Sequence, residues 1–217
     1  MSHLDYKYFY KRNLPHLQPN GAILFVTFRL YGSLPQKKLI EYAQEKARLE
    51  QSLLAISALS QRRKTQYIEQ KRLFARWDTW LDAGLTDACW LRNPRIAQEI
   101  VNCIVYRDNI VYELHAYCVM ANHVHIVFRP LKQDTGADIG LSQIMQSLKG
   151  YSAKQANTIL GRKGTFWQSE SYDHVIRNEQ EWHRVMSYVL HNPVKAGLVD
   201  DWAEWPWSYC KYVERTV

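Results

Sequence analysis

Residues 111–128 read Val-Tyr-Glu-Leu-His-Ala-Tyr-Cys-Val-Met-Ala-Asn-His-Val-His-Ile-Val-Phe. Val111 to Met120 and His123 to Phe128 are rich in β-branched and aromatic residues. Ala121-Asn122 supplies a turn between them, so the stretch predicts two antiparallel strands. Side chains alternate along a strand, which puts His123, His125 and Val127 on one face and Val124, Ile126 and Phe128 on the other. The apolar set anchors the strand in a core. The two imidazoles, two residues apart on one face, are spaced to reach a single metal ion. Taken alone, a His-x-His pair in a strand is more often structural than ligating. Val127 stands where a third alternating histidine would mark the three-histidine nucleotide hydrolases. The His-x-His of metal-dependent amidohydrolases opens a barrel of ~250 residues, and here the motif comes too late in too short a chain.

Working outward, Ala22 to Leu30 (AILFVTFRL) follows the turn signal Pro19-Asn20-Gly21 and reads as a buried strand. Pro94 to Tyr106 reads as a helix with proline in its first turn and an apolar stripe of Ile96, Ile100, Cys103 and Ile104. A second helix spans Leu141 to Leu160 and stops at Gly161. Phe166 to Ile176 is extended and aromatic, and a third helix, Glu179 to His191, is closed by Asn192-Pro193. This order implies an α+β fold, a small antiparallel sheet with helices packed on one side. Between Pro35 and Leu85 the texture changes to Gln, Glu, Lys, Arg, Leu and Ala, with no Gly or Pro from 36 to 83. That stretch predicts one long helix or a helical hairpin breaking near Ser57 and Ser60, an insertion (35–85) within a single domain (1–217). From Gln36 to Arg76 it carries ten basic residues against four glutamates. Such an arm suits phosphate contacts, and equally a solvated helix face.

The composition narrows the class. With 217 residues, 47% hydrophobic and 23% charged, a disordered tail, a collagen-like fibre and a disulfide miniprotein are excluded. Cys89, Cys103, Cys118 and Cys210 share no metal or redox spacing and read as free thiols. The leading residues show neither a signal-like apolar run nor a membrane span, which points to the cytoplasm. A net charge of +7 beside 14 Tyr and 8 Trp suits single-stranded nucleic acid, where bases stack on rings and phosphates meet cations. Trp167, Trp205 and Trp207 are candidates for stacking, with core packing the competing use.

A second chemical feature lies in Tyr188-Val189-Leu190-His191-Asn192-Pro193-Val194-Lys195-Ala196-Gly197. Tyr188 and Asn192 are i and i+4, on one face at the end of a helix. Tyr151 has the same relation to Gln155, and spacing alone does not choose between them.

Met120 to Val127, Phe166-Trp167-Gln168, Tyr172 to Arg177, Tyr188 to Val199 and Trp205-Pro206-Trp207-Ser208 together resemble the REP-associated tyrosine transposases. These are relatives of the IS200-like single-tyrosine transposases within the HUH endonuclease superfamily, whose sheet is of the RRM-like, ferredoxin-like kind. The matching blocks run from about Leu91 to Tyr209, plus the first strand. The resemblance implies that His123, His125 and Asn192 bind a divalent cation (Mg or Mn) and that Tyr188 is the nucleophile. It favours Tyr188 over Tyr151 through the Asn-Pro-Val-Lys-Ala-Gly context. Where the family usually has proline, this chain has Ala121. The implied activity is cleavage and rejoining of single-stranded DNA at hairpin (REP-like) sequences through a 5′-phosphotyrosine.

The implied partner is single-stranded or hairpin DNA, met by a monomer or homodimer in the cytoplasm at the nucleoid. Arg129, Lys149, Lys154, Arg162, Lys163, Arg177 and Lys195 lie in or near the matching blocks as candidate phosphate contacts. A domesticated protein that holds hairpin DNA or RNA without cutting is the competing reading. It has no chemical need for two histidines, a tyrosine and an amide together.

Overall fold

The structure is a computed structural model. It describes residues 6–11 and 15–213, with side chains from residue 19 onward; the leading residues 1–5 read above for a signal lie outside the described residues. The chain divides into two compact units, Met1–Tyr31 with Trp90–Val217, and Gly32–Cys89.

In the first unit, β1 (Tyr6–Lys11) and β2 (Pro15–Pro19) form an antiparallel pair that the sequence reading did not anticipate. The main sheet has five antiparallel strands: β3 (Ile23–Arg29), β4 (Tyr112–Val119), β5 (His123–Pro130), β6 (Tyr172–Ile176) and β7 (Ser208–Cys210), in spatial order β6-β3-β5-β4-β7. β4 and β5 are the predicted hairpin. Its Ala121-Asn122 turn is pinned by Met120 N–H to His123 O at 2.9 Å and by Leu30 N–H to Asn122 O at 2.8 Å. A bulge between Leu114 and Ala116 gives β4 one extra residue, His115.

One face of the sheet carries Leu24, Val26, Phe28, Val124, Ile126 and Phe128, all essentially inaccessible. It packs on α3 (Pro94–Val105) and α4 (Leu141–Ile159), whose Ile96, Ile100, Ile104, Ile144 and Leu148 complete the core. Asn93 caps α3 by accepting from Arg95 N–H at 3.0 Å, with Pro94 in the first turn as expected.

The other face is covered by α5 (Glu179–Leu190), and this corrects the expectation of helices on one side only. α5 has an apolar stripe of its own, Met186, Val189 and Leu190, and buries it there. α5 ends at Leu190, with His191 as its C-cap, just before Asn192-Pro193 as expected. Proline removes an N–H at a point where a helix start needs none, and the chain resumes as the short turn α6 (Asn192–Lys195). Of the extended stretch 166–176 only Tyr172–Ile176 is a strand; Trp167 makes an isolated bridge to Leu30.

The second unit is a helical hairpin, α1 (Gln36–Leu54) and α2 (Leu59–Asp82), broken at 55–58 where Ser57 falls, with Ser60 in the first turn of α2. Tyr42 packs on Trp77 with ring centroids 4.5 Å apart, Arg76 pairs with Glu45, and Arg62 donates to Ile56 O at the turn. Lys38, Lys46 and Arg72 pair with Glu41, Glu50 and Glu69. Lys71 lies 4.2 Å over the Tyr67 ring, so at least six of the ten cations have partners inside the hairpin, as a solvated face would.

Candidate active site

The register of β3 against β5 builds the site. Thr27 stands opposite His125 and Arg29 opposite His123, so these side chains share the face under α5. His123 and His125 are fully buried. Their Nε2 atoms lie 3.0 Å apart and their ring planes cross at 77°. Each ring is also held from behind, His123 Nδ1 lying 2.7 Å from Asn122 Oδ1 and His125 Nδ1 2.7 Å from Thr27 Oγ1. An Nδ1 that faces an amide oxygen donates its hydrogen to it. Burial, with the Lys195 ammonium adding to it, pushes the His125 imidazolium down to about 3. The ring is consequently neutral and a ready donor throughout the neutral range.

α5 brings Tyr188 to the same place. Its ring centroid is 5.4 Å from that of His125 and 5.8 Å from that of Phe25, edge-on to both, and Phe25 stacks on His125 at 5.7 Å. Three rings packed this way hold the phenol in one orientation. Lys195 places its Nζ 5.9 Å from the centre of the Tyr188 ring, so a cation flanks the phenol. One turn on, Asn192 is fully buried, and neither Oδ1 nor Nδ2 finds a hydrogen-bond partner among the described residues. An unmatched buried amide atom costs about 1–3 kcal/mol, which a leucine in its place would avoid.

These donors suit a divalent cation. Nitrogen atoms 3.0 Å apart match the edge of an octahedron whose bonds are about 2.1 Å. Imidazoles and an amide oxygen are ligand types that Mn²⁺ accepts readily and Mg²⁺ accepts with waters. The nearby α5 N-terminus is tied to the sheet by a second buried group. Glu181 accepts from His174 Nε2 at 2.9 Å and from Arg177 N–H at 3.0 Å, while Asn178 caps the helix by accepting from Glu181 N–H at 2.8 Å.

The competing tyrosine lies elsewhere. Tyr151 is on α4, in the helix layer across the sheet, half exposed and 5.9 Å from the Arg107 guanidinium. Of the candidate DNA contacts, Lys149 and Lys154 belong to that layer too, and Lys149 donates to Ser169 O at 2.8 Å. Arg162 lies 3.9 Å over the Trp90 ring, and Lys163 is exposed beside it in the loop after α4. Arg129, at the end of β5, pairs with Glu113 at 3.4 Å. Arg177 and Lys195 sit exposed at the two ends of the α5–α6 segment that carries Tyr188. Trp167 is buried and donates to Ser152 Oγ at 2.9 Å, and Trp205 donates to Val119 O at 3.0 Å, so both rings serve packing. Thr27, Asn122 and Phe25 escaped the sequence reading. Thr27 left one signal, a lone hydroxyl in the apolar run AILFVTF.

Comparison with known proteins bears on the same residues. Residues 94–192 match the family model described as IS200-like transposase, a span that holds His123, His125, Tyr188 and Asn192. Over 97 residues the chain is 29% identical to a REP-associated tyrosine transposase of Escherichia coli K12, covering 45% of this chain and 53% of that protein. Over 106 residues it is 24% identical to a protein of Haemophilus influenzae given the same name provisionally, covering 46% and 60%. The chain thus spans little more than half the length of these relatives. A solved structure of a REP-associated tyrosine transposase bound to a REP hairpin aligns with a TM-score of 0.47 and 19% identity, over 96% of this chain and 82% of that one. The chain resembles the REP-associated tyrosine transposases.

Proposed function

We propose that this chain, similar over residues 94–192 to the IS200-like transposases, is a metal-dependent single-tyrosine enzyme that cleaves and rejoins single-stranded DNA beside hairpins. The observation that carries this reading is the packing of the Tyr188 ring 5.4 Å from His125, whose Nε2 stands 3.0 Å from that of His123. A phenol beside two imidazole donors is the equipment of a tyrosine nucleophile at a cation-bound phosphate.

His123, His125 and Asn192 would hold the cation, which when bound draws charge from the non-bridging oxygens of a phosphodiester. The rest is the work of side chains. A tyrosine phenol in water ionises only near pH ~10 and is a weak nucleophile at neutral pH, so placement matters more than basicity. Phe25 and His125 hold the ring. The Tyr188 oxygen bonds to phosphorus as the bond from phosphorus to the 3′-oxygen breaks. The phenol loses its proton, the 3′-oxygen gains one, and the product is a 5′-phosphotyrosine with a free 3′-hydroxyl. One phosphodiester replaces another, so a 3′-hydroxyl reverses the step without a nucleotide cofactor. Lys195, Arg177 and the neighbouring exposed face of α5 provide the cations for the strand on either side of the cut.

Incubation with a labelled hairpin oligonucleotide and Mn²⁺ should give a covalent adduct with the wild type and with Tyr151→Phe, and none with Tyr188→Phe. Hairpin binding without an adduct, across many sequences and with or without the ion, would instead favour the non-cleaving reading.

A further inference from the structure

We infer that Arg92, Arg95, Arg162 and Lys163 form a basic rim, at the end of the main sheet where β5 begins with His123, that takes the phosphates of the unpaired DNA strand leading to the cut. The inference deepens the reading of the chain as an enzyme that cleaves single-stranded DNA, and rests on it.

Several short pieces of backbone meet at that end of the sheet. β3 ends at Arg29, across from His123, and Leu30 N–H then donates to Asn122 O at 2.8 Å in the turn before the histidine. The single-turn segment Trp90–Arg92 docks on the same turn, with Leu91 N–H donating to Ala121 O at 3.2 Å, and leads through Asn93 into α3. The loop after α4 returns to this point, where Tyr31 N–H donates to Phe166 O at 2.8 Å and Leu30 bridges Trp167. Trp90 joins the two segments. Its ring lies 5.5 Å from that of Phe166 and 3.9 Å beneath the Arg162 guanidinium. Arg162 also donates to Thr165 O at 3.2 Å, and Asn157 Nδ2 donates to Gly164 O at 2.9 Å, so the loop is held in shape. Gly161 and Gly164, both at positive φ, let the chain reverse around Arg162-Lys163.

The charge of this rim is not neutralised within the protein. Arg92, Arg95 and Lys163 are exposed and Arg162 half-buried, and none of the four is in an ion pair among the described residues. Lys38, Arg72, Arg76, Arg129 and Lys211, by contrast, each face a glutamate. Glu99, one turn along α3 from Arg95, meets Cys103 Sγ at 3.9 Å instead. Four unneutralised cations on one rim attract a polyanion. The histidines are fully buried beneath α5, so a base-paired stem cannot follow its backbone to them, and the DNA beside the cut is single-stranded. Successive phosphates of that strand meet the rim on leaving His123, and contacts to the backbone hold it whatever its bases.

The test is fluorescence anisotropy of the full chain with a labelled hairpin oligonucleotide, carrying single-stranded flanks or cut back to its stem, in chelator so that binding is read without cleavage. For the flanked oligonucleotide, the slope of log affinity against log salt should flatten by about 0.7 for each cation removed. Arg92→Gln with Arg95→Gln should therefore flatten it by about 1.4, as should Arg162→Gln with Lys163→Gln. Affinity for the bare stem should not change. With Mn²⁺ and saturating flanked DNA the variants should form adduct at the wild-type rate, while the DNA concentration giving half that rate rises; a variant that merely loosens the fold would lower the rate itself. Melting curves establish that each variant is folded, and Lys163→Gln alone keeps the test valid should the Arg162 variant not fold. Equal losses for flanked DNA and bare stem would assign the rim to the stem, and unchanged slopes would make it a solvated surface; either overturns the inference and leaves the Tyr188 reading standing. Flattened slopes in a protein that never forms an adduct with Mn²⁺ would support the rim and overturn the enzyme reading.

Discussion

At the scale of single residues, Asn192 gives the sharpest conflict between stability and use. Its amide is buried with both polar atoms unmatched among the described residues. Asn192→Leu should therefore leave the metal-free protein as stable as before or more stable by about 1 kcal/mol, read as a rise in urea midpoint. The same variant should lose most of the stabilisation that added Mn²⁺ confers on the wild type. A marked loss of metal-free stability would mean that the amide is already satisfied and serves structure. That His123 and His125 share a face was legible from alternation alone, because strand geometry fixes it, whereas their reading as ligands came only from the family resemblance. Thr27 was not legible. Its partner lies 98 positions away in the chain, and only the pairing of β3 with β5 brings the hydroxyl to the imidazole.

At the scale of elements, the placement of α5 decides whether Tyr188 meets the histidines. Its N-terminus is fixed by Glu181, which accepts from His174 and from the Arg177 backbone while 1% exposed. Glu181→Ala leaves those donors unmatched and should cost about 2–4 kcal/mol, with adduct formation falling in step as α5 loosens. Asn178→Ala, which removes the cap alone, should cost about 1 kcal/mol. Thermal melts and adduct yield on the same variants separate the two. The helices and central strands were visible in the sequence because long apolar periodicity, Pro94 and Gly161 mark them. The side of the sheet that α5 covers was not, since a stripe of Met186, Val189 and Leu190 says that a face is buried but not against what. The β4 bulge and the three-residue β7 were equally invisible, being products of pairing. Asn192-Pro193 marked the end of α5 correctly, and the short turn α6 that begins at the same residues was not anticipated.

At the scale of the whole molecule, acid should unfold the protein through its buried histidines. Burial pushes His125 down to about 3, and burial, only partly offset by nearby Glu113, pushes His115 down to about 4. Both values lie below the ~6.5 of an unfolded histidine, so the unfolded chain takes up protons first as pH falls. The stability these rings provide is complete above pH ~6.5 and is lost between there and ~3–4, by up to ~1.4 kcal/mol per pH unit for each ring. Urea midpoints from pH 7 to 4.5 should fall on that slope, and His115→Phe should flatten it by about half; a flat profile in the wild type would contradict the burial account. The most direct test of the central claim is the site of covalent attachment. Arg184 and Lys195 bracket Tyr188, so trypsin releases residues 185–195 as one peptide, while Tyr151 falls in 150–154. Mass spectrometry of the adduct trapped with a hairpin oligonucleotide and Mn²⁺ should find the nucleotide on Tyr188 in peptide 185–195, and no adduct when the divalent ion is chelated. Attachment in peptide 150–154, or an adduct that forms equally well in chelator, would contradict it.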